Sequence, residues 1–198
     1  DYIEKGHLVQ DTNFCFYLYQ ITMGNHTQTG IMAAVSIEEY NQGLIKKHEF
    51  TRSEKEDDRT RHIDITNANT GPVFLTYRND GKLKNVILEI LNSHPDISFT
   101  ADDTTFHALW KVENKIQIER LIDYFQVIPA LYIADGHHRA ASAARVQKIR
   151  EEANPNHSGY EPYNYFLSVI FPHDEMQILD YNRVAKDLNG FTEEQFHE

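Results

Sequence analysis

The stretch LYIADGHHRAASAA, residues 131–144, constrains the fold of this chain more than any other segment. The apolar, β-prone run VIPALYIA (127–134) reads as a buried strand, and AASAARVQKIREEA (140–153) is a helix by propensity, closed by Asn154-Pro155-Asn156. Between them stand only Asp135-Gly136 and three polar residues, so the strand has to pass through a tight turn directly into a helix N-terminus. Gly136 permits that turn, and Ala140, Ala141, Ala143 and Ala144 let the helix lie close to a sheet.

Such a junction is also a phosphate-binding geometry, because free backbone N–H groups and the positive end of the helix converge on one place. His137, His138 and Arg139 add donors in the first turn, and the Arg139 guanidinium can fork onto phosphate oxygens. As plain structure, Asp135 is an N-cap and the two histidines are surface donors. Three potentially cationic side chains at a helix N-terminus oppose the macrodipole, however, and an anion seated there removes that cost. Gly136, His137, His138 and Arg139 are therefore the predicted phosphate-binding core.

A second polar segment accompanies it. KKHEFTRSEKEDDRTRHID (46–64) carries two candidate capping boxes, Thr51 with Glu54 and Ser53 with Glu56, which predict a helix start. On that helix Lys55, Arg59 and His62 recur at i, i+4 and i+7 and share a face; a solvated helix held by charge pairs explains the same run. His48, Thr51, Lys55 and Arg59 join the predicted phosphate ligands, and Glu49 is the candidate to accept a proton, with a plain loop carboxylate as its alternative.

The same residues also admit metal chemistry. His137, His138 and Asp135 with His107, or with His48 and Glu49, are a conceivable transition-metal set, but adjacent helical histidines point about 100° apart and seldom share an ion. Magnesium asks for few protein ligands, so Asp135 and Glu49 are the expected Mg²⁺ carboxylates beside bound phosphates, with Asp135 a second candidate base.

Around this core, strands and helices alternate. Residues 14–22 and 28–37 read as a hairpin turning at Met23-Gly24-Asn25, and Ser36 with Glu39 starts a short helix that Gly43 ends. Further strands are predicted at 71–77, 104–112, 163–171 and 177–182, and amphipathic helices at 82–93 and through Ile116, Ile118, Leu121, Ile122 and Phe125. Thr192 and Gln195 open a last helix. The linker candidates 78–82 and 154–162 are too short to force separation, so residues 1–198 are expected to form a single α+β domain, a mixed sheet with packed helices. The chain opens without methionine and stops as that last helix begins, and the expectation is an excised part of a longer protein.

Composition narrows the function classes. Thirty acidic against 19 basic residues give a formal charge of −11, which repels nucleic acid. No apolar run has the length of a membrane span, and Cys15, the only cysteine, cannot form an intramolecular disulfide. The expected setting is the cytoplasm, with a nucleotide and a small metabolite as partners and neither nucleic acid nor membrane; oligomeric state is open.

DGHHRAASA (135–143), GLIKKHEFT (43–51) with Lys55 and Arg59 after it, GPVFLTY (71–77) and ILDYNRVAKDLNG (178–190) together resemble an uncharacterised prokaryotic family, domain-of-unknown-function family 1015. That name carries no activity. More distantly, the strand-turn-helix is similar to the phosphate-binding turn of the superfamily of partition protein B, sulfiredoxin and the free serine kinases. This resemblance implies that Gly136, His137, His138 and Arg139 cradle nucleotide phosphates. Sulfiredoxin's reactive cysteine would fall at His137, and the partition protein's glutamate and first arginine at His137 and His138, so neither of those chemistries transfers. The free serine kinases are the nearest likeness, although no motif places their catalytic glutamate. The expectation is a nucleotide-dependent phosphotransferase using ATP or ADP and Mg²⁺ on a small hydroxylated metabolite such as serine. Its alternatives are a non-catalytic nucleotide-binding regulatory module and a metal-dependent hydrolase.

Overall fold

The structure is a computed structural model that describes residues 2–180 and 182–197. The chain first forms the expected hairpin, β1 (Phe16–Met23) and β2 (His26–Ser36), paired so that Met23 faces His26 across a turn in which Gly24 has φ 59°. Glu39 N–H donates to Ser36 Oγ at 3.3 Å and opens α1 (Ile37–Asn41), which the chain leaves through Gly43 at φ 76°. Then follow β3 (Ile45–Lys46), α2 (Ser53–Thr66), β4 (Val73–Tyr77), α3 (Lys84–Leu91), β5 (Ile97–Thr100), β6 (Phe106–Val112) and α4 (Lys115–Val127). The strand-turn-helix unit is β7 (Leu131–Asp135) and α5 (His137–Ala153), after which come β8 (Tyr165–Pro172) and α6 (Glu193–His197). The capping box of α6 forms, with Gln195 N–H donating to Thr192 Oγ1 and Thr192 N–H to Gln195 Oε1.

The eight strands make one sheet in the order β3-β7-β4-β8-β2-β1-β6-β5. Two pairs are parallel, β3 with β7 and β4 with β8, and the rest are antiparallel, so this is the α+β fold with a mixed sheet. Alternation assigns the faces. Leu18, Ile31, Trp110, Phe166, Ile170, Val73, Leu75 and Ile133 are buried in one cluster with Ile37 and Tyr40 of α1, Val86 and Ile90 of α3, Leu121 of α4, and Ala140 and Ala143 of α5.

The opposite face carries a row of rings. Phe74 packs edge-on to Phe171, Phe171 to Tyr19, Tyr19 on His107 and His107 on Phe99, so the row runs from β4 to β5. It crosses β2 at Gly30, where an added Cβ would stand 2.9 Å from the Phe171 ring.

Three sequence expectations are corrected. The strand predicted at 127–134 begins at Leu131, because α4 runs through Val127 and Pro129, which lacks an N–H, keeps Ile128 out of the helical region. The strand predicted at 177–182 does not form. Its described residues carry no regular structure, Ile178 and Leu179 are exposed, and both sides of β8 are already paired; Tyr181 lies outside the described residues. Neither predicted box caps α2: the cap is the extended Arg52, without a side-chain hydrogen bond, and Ser53 is already helical. The strands β3 and β5 were not foreseen. No helix among the described residues is long and apolar enough to cross a membrane.

Candidate functional site

The site lies where β7 runs into α5. Gly136 caps the helix in the left-handed region, φ 97° and ψ 27°, a conformation that costs a residue with a Cβ about 1–2 kcal/mol. The first bonds to its carbonyl come from Arg139 N–H at 2.9 Å and Ala140 N–H at 3.1 Å. The N–H groups of His137 and His138 precede them in the helix and are its orphan donors.

Arg139 folds back over this turn. An added Cβ on Gly136 would stand 2.8 Å from the Arg139 Nε, and one on Gly71 would stand 3.4 Å from its Nη1. The guanidinium thus lies between two glycines, one in the helix cap and one in the loop leading to β4, and donates from Nη2 to Asp135 Oδ2 at 2.5 Å. Gly71 had no signal in the sequence beyond its place as the first residue of the strand predicted at 71–77, which begins only at Val73.

The two histidines have different roles, as their angular separation requires. His137 is buried, 4 % exposed, with its ring edge-on to that of His48 at 4.4 Å. Its Nε2 accepts from His48 N–H at 3.4 Å, and its Nδ1 lies 3.5 Å from Glu49 Oε2. Burial, helped by neighbouring His48, holds this imidazole below the ordinary histidine range against the opposing pull of Glu49 and Asp135. A neutral ring with its proton on Nδ1 suits both neighbours. His138 is half-buried, and its Nδ1 is shut from solvent without a hydrogen-bond partner.

The expected excess of cations at the helix start is therefore compensated within the protein. Asp135 neutralises Arg139, and burial keeps His137 uncharged. What remains at the turn is a pair of free backbone N–H groups beside two glycines.

Parallel pairing explains why KKHEFT reaches DGHHR. β3 sits at the sheet edge beside β7, with Ile45 opposite Leu131 and Lys46 opposite Tyr132, so the chain beyond Lys46 runs in the same direction as the chain approaching Gly136. His48 and Glu49 consequently meet His137.

The other wall is α2, packed along α5. Arg145 of α5 pairs with Asp57 at 2.7 Å and Glu56 at 3.5 Å, Arg150 pairs with Asp64 at 3.2 Å, and Ser142 Oγ donates to Glu56 O at 3.2 Å. These contacts hold the acidic side of α2 against α5. Arg59 and His62, with Asp58, line a cleft of about 340 Å³ that also takes in Asn69, Thr70, Gly71 and Arg139. Of the predicted basic stripe, Arg59 and His62 reach the cleft and exposed Lys55 does not line it; Thr51 is half-buried outside it. A larger cavity of about 560 Å³ between α4 and the β1–β2 side is lined mainly by carbon, including Ile31, Leu121, Phe125 and Ile128, and offers little to hold phosphate.

Among the described residues no three His, Cys, Asp or Glu side chains converge as a metal site. Glu49 against His137 and Asp135 against Arg139 are exposed carboxylates, oxygen donors of the kind magnesium takes and not the nitrogen and sulfur set of a closed transition-metal cage. A family model described as "Protein of unknown function (DUF1015)" matches residues 1–198. No curated protein and no solved structure matches the chain.

Proposed function

We propose that this chain, which belongs to that family of unknown function over its whole length, is a nucleotide-dependent phosphotransferase acting on a small hydroxylated metabolite such as an amino acid. One observation carries the reading: β3–β7 pairing sets the Glu49 carboxylate beside His137 at the same helix N-terminus that Gly136 opens and Arg139 covers.

Phosphoryl transfer depends on positioning and charge neutralisation more than on covalent work by the protein. In this reading the N–H groups of His137 and His138 bind phosphate oxygens, and Arg139 turns from Asp135 to add a charge-assisted fork. Glu49 accepts the proton of the acceptor hydroxyl. His137 orients Glu49 from behind, its own ring fixed by the His48 N–H. Asp135 and Glu49 would hold magnesium, which when bound supplies positive charge to the phosphate oxygens.

The test is turnover. Purified protein with ATP or ADP, Mg²⁺ and a panel of hydroxylated amino acids and related metabolites should release the shortened nucleotide only with an acceptor present. Nucleotide binding without turnover for any acceptor would replace this reading with a binding module.

A further inference from the structure

The cleft has an arginine on each of two walls, and only one of them is matched by the protein itself. Arg139 has Asp135 as its carboxylate partner, whereas Arg59, facing the same cleft from α2, has no hydrogen-bond or ion-pair partner among the described residues. The acidic residues that could have met it, Glu56, Asp57 and Asp64, are engaged by Arg145 and Arg150 on the other side of α2. Asp58 is the sole carboxylate on the cleft lining, against Arg59, Arg139 and the titratable ring of His62. In a chain of net charge −11, an unpaired guanidinium facing a paired one marks a local reversal of the field.

We infer that this cleft takes one ligand carrying two adjacent anionic groups, a diphosphate or longer polyphosphate, with one group on Arg139 at the start of α5 and the next on Arg59. A lone phosphate leaves most of the roughly 340 Å³ empty. Asn69, Thr70 and Gly71 also line the cleft, and the glycine lets Arg139 approach that segment closely. The inference rests on the α5 turn being an anion cradle, and it adds that Arg59 sets the preference for linked phosphates.

Calorimetry with inorganic phosphate and inorganic pyrophosphate, without metal, tests it on the protein and on Arg59→Gln, Arg139→Ala and Arg61→Gln. Arg61 is an exposed residue of the same helix outside the cleft lining, and it controls for general charge. The protein should bind pyrophosphate at least about tenfold tighter than phosphate, the value of one charge-assisted contact. Arg59→Gln should erase that preference while leaving phosphate affinity unchanged, and Arg61→Gln should preserve it. A preference that survives Arg59→Gln, or falls equally in Arg61→Gln, overturns the inference, and if Arg139→Ala still weakens phosphate the cradle stands without it. Indifference of phosphate binding to Arg139→Ala overturns both. An Arg59-dependent preference without turnover upholds the inference and removes the phosphotransferase reading.

Discussion

The Arg139 side chain lies over Gly136 so closely that a Cβ on the glycine would stand 2.8 Å from Nε and 2.9 Å from Nη2. The same residue that opens the helix in a left-handed conformation also makes room for the guanidinium that closes over it. Backbone and side chain at this site therefore cannot be varied independently.

Gly136→Val should lose on both counts. The left-handed cap costs about 1–2 kcal/mol for any residue with a Cβ, and the branched side chain evicts Arg139 and covers the helix N–H groups. Thermal melts should show a lowered Tm with a cooperative transition retained, and phosphate binding should vanish in calorimetry. A folded valine variant with normal affinity would show that these backbone donors are not the site.

Arg139→Ala should leave the fold intact, because the side chain is 32 % exposed and, among the described residues, pairs only with the exposed Asp135. Nucleotide or phosphate binding should weaken by roughly 1.5–3 kcal/mol, the value of a charged hydrogen bond. Titration calorimetry on wild type and variant measures the difference directly, and equal affinities reject the assignment.

Glu49→Gln separates binding from rate. The carboxylate is 61 % exposed and touches His137 without entering the core, so stability should change by no more than about 0.5 kcal/mol. Turnover should fall roughly 10²–10⁴-fold with nucleotide affinity unchanged when it is measured without Mg²⁺. If activity is unaltered, Asp135 is the remaining carboxylate at the turn to test as base.

His137 gives stability a pH dependence of definite sign. Its folded-state pKa lies below the ordinary 6.5, so between those two values the unfolded chain binds more protons than the folded one. The contribution is complete above about pH 6.5 and is lost as the pH falls through that value toward the folded-state pKa. Urea midpoints from about pH 7.5 down to about pH 5.5 should drop more steeply for wild type than for His137→Gln, which has nothing to titrate there. Parallel profiles would mean that the ring is protonated in place.

The β7–α5 junction was legible because every signal for it is local: an apolar run, a glycine and an alanine-rich helix in immediate succession. The ends of α1 and α6 were legible for the same reason, since Ser36 and Thr192 reach only three residues ahead. At α2, Thr51 and Ser53 offered competing caps two residues apart, and the packing of Thr60 and Ser142 between α2 and α5 accompanies a third register. The divergence of His137 and His138 follows from helix geometry, but which of them turns inward depends on where His48 and Glu49 arrive. That depends on β3, whose two residues are too few to show any period. Gly71 meets Arg139 only through the tertiary fold.

The weight that β3 carries is out of proportion to its length. Its two residues and the bond from Leu131 N–H to Leu44 O attach this strand to one side of the sheet only. Peeling this edge away would expose the buried Ile45 and withdraw His48 and Glu49 from His137 while the central strands stay paired, an opening that costs less than global unfolding. Amide exchange at residues 45–49 should therefore report a subglobal equilibrium between an assembled and a disassembled site. Any ligand that needs Glu49 in place then slows that exchange in proportion to its occupancy, so affinity and local order are two measurements of one free energy.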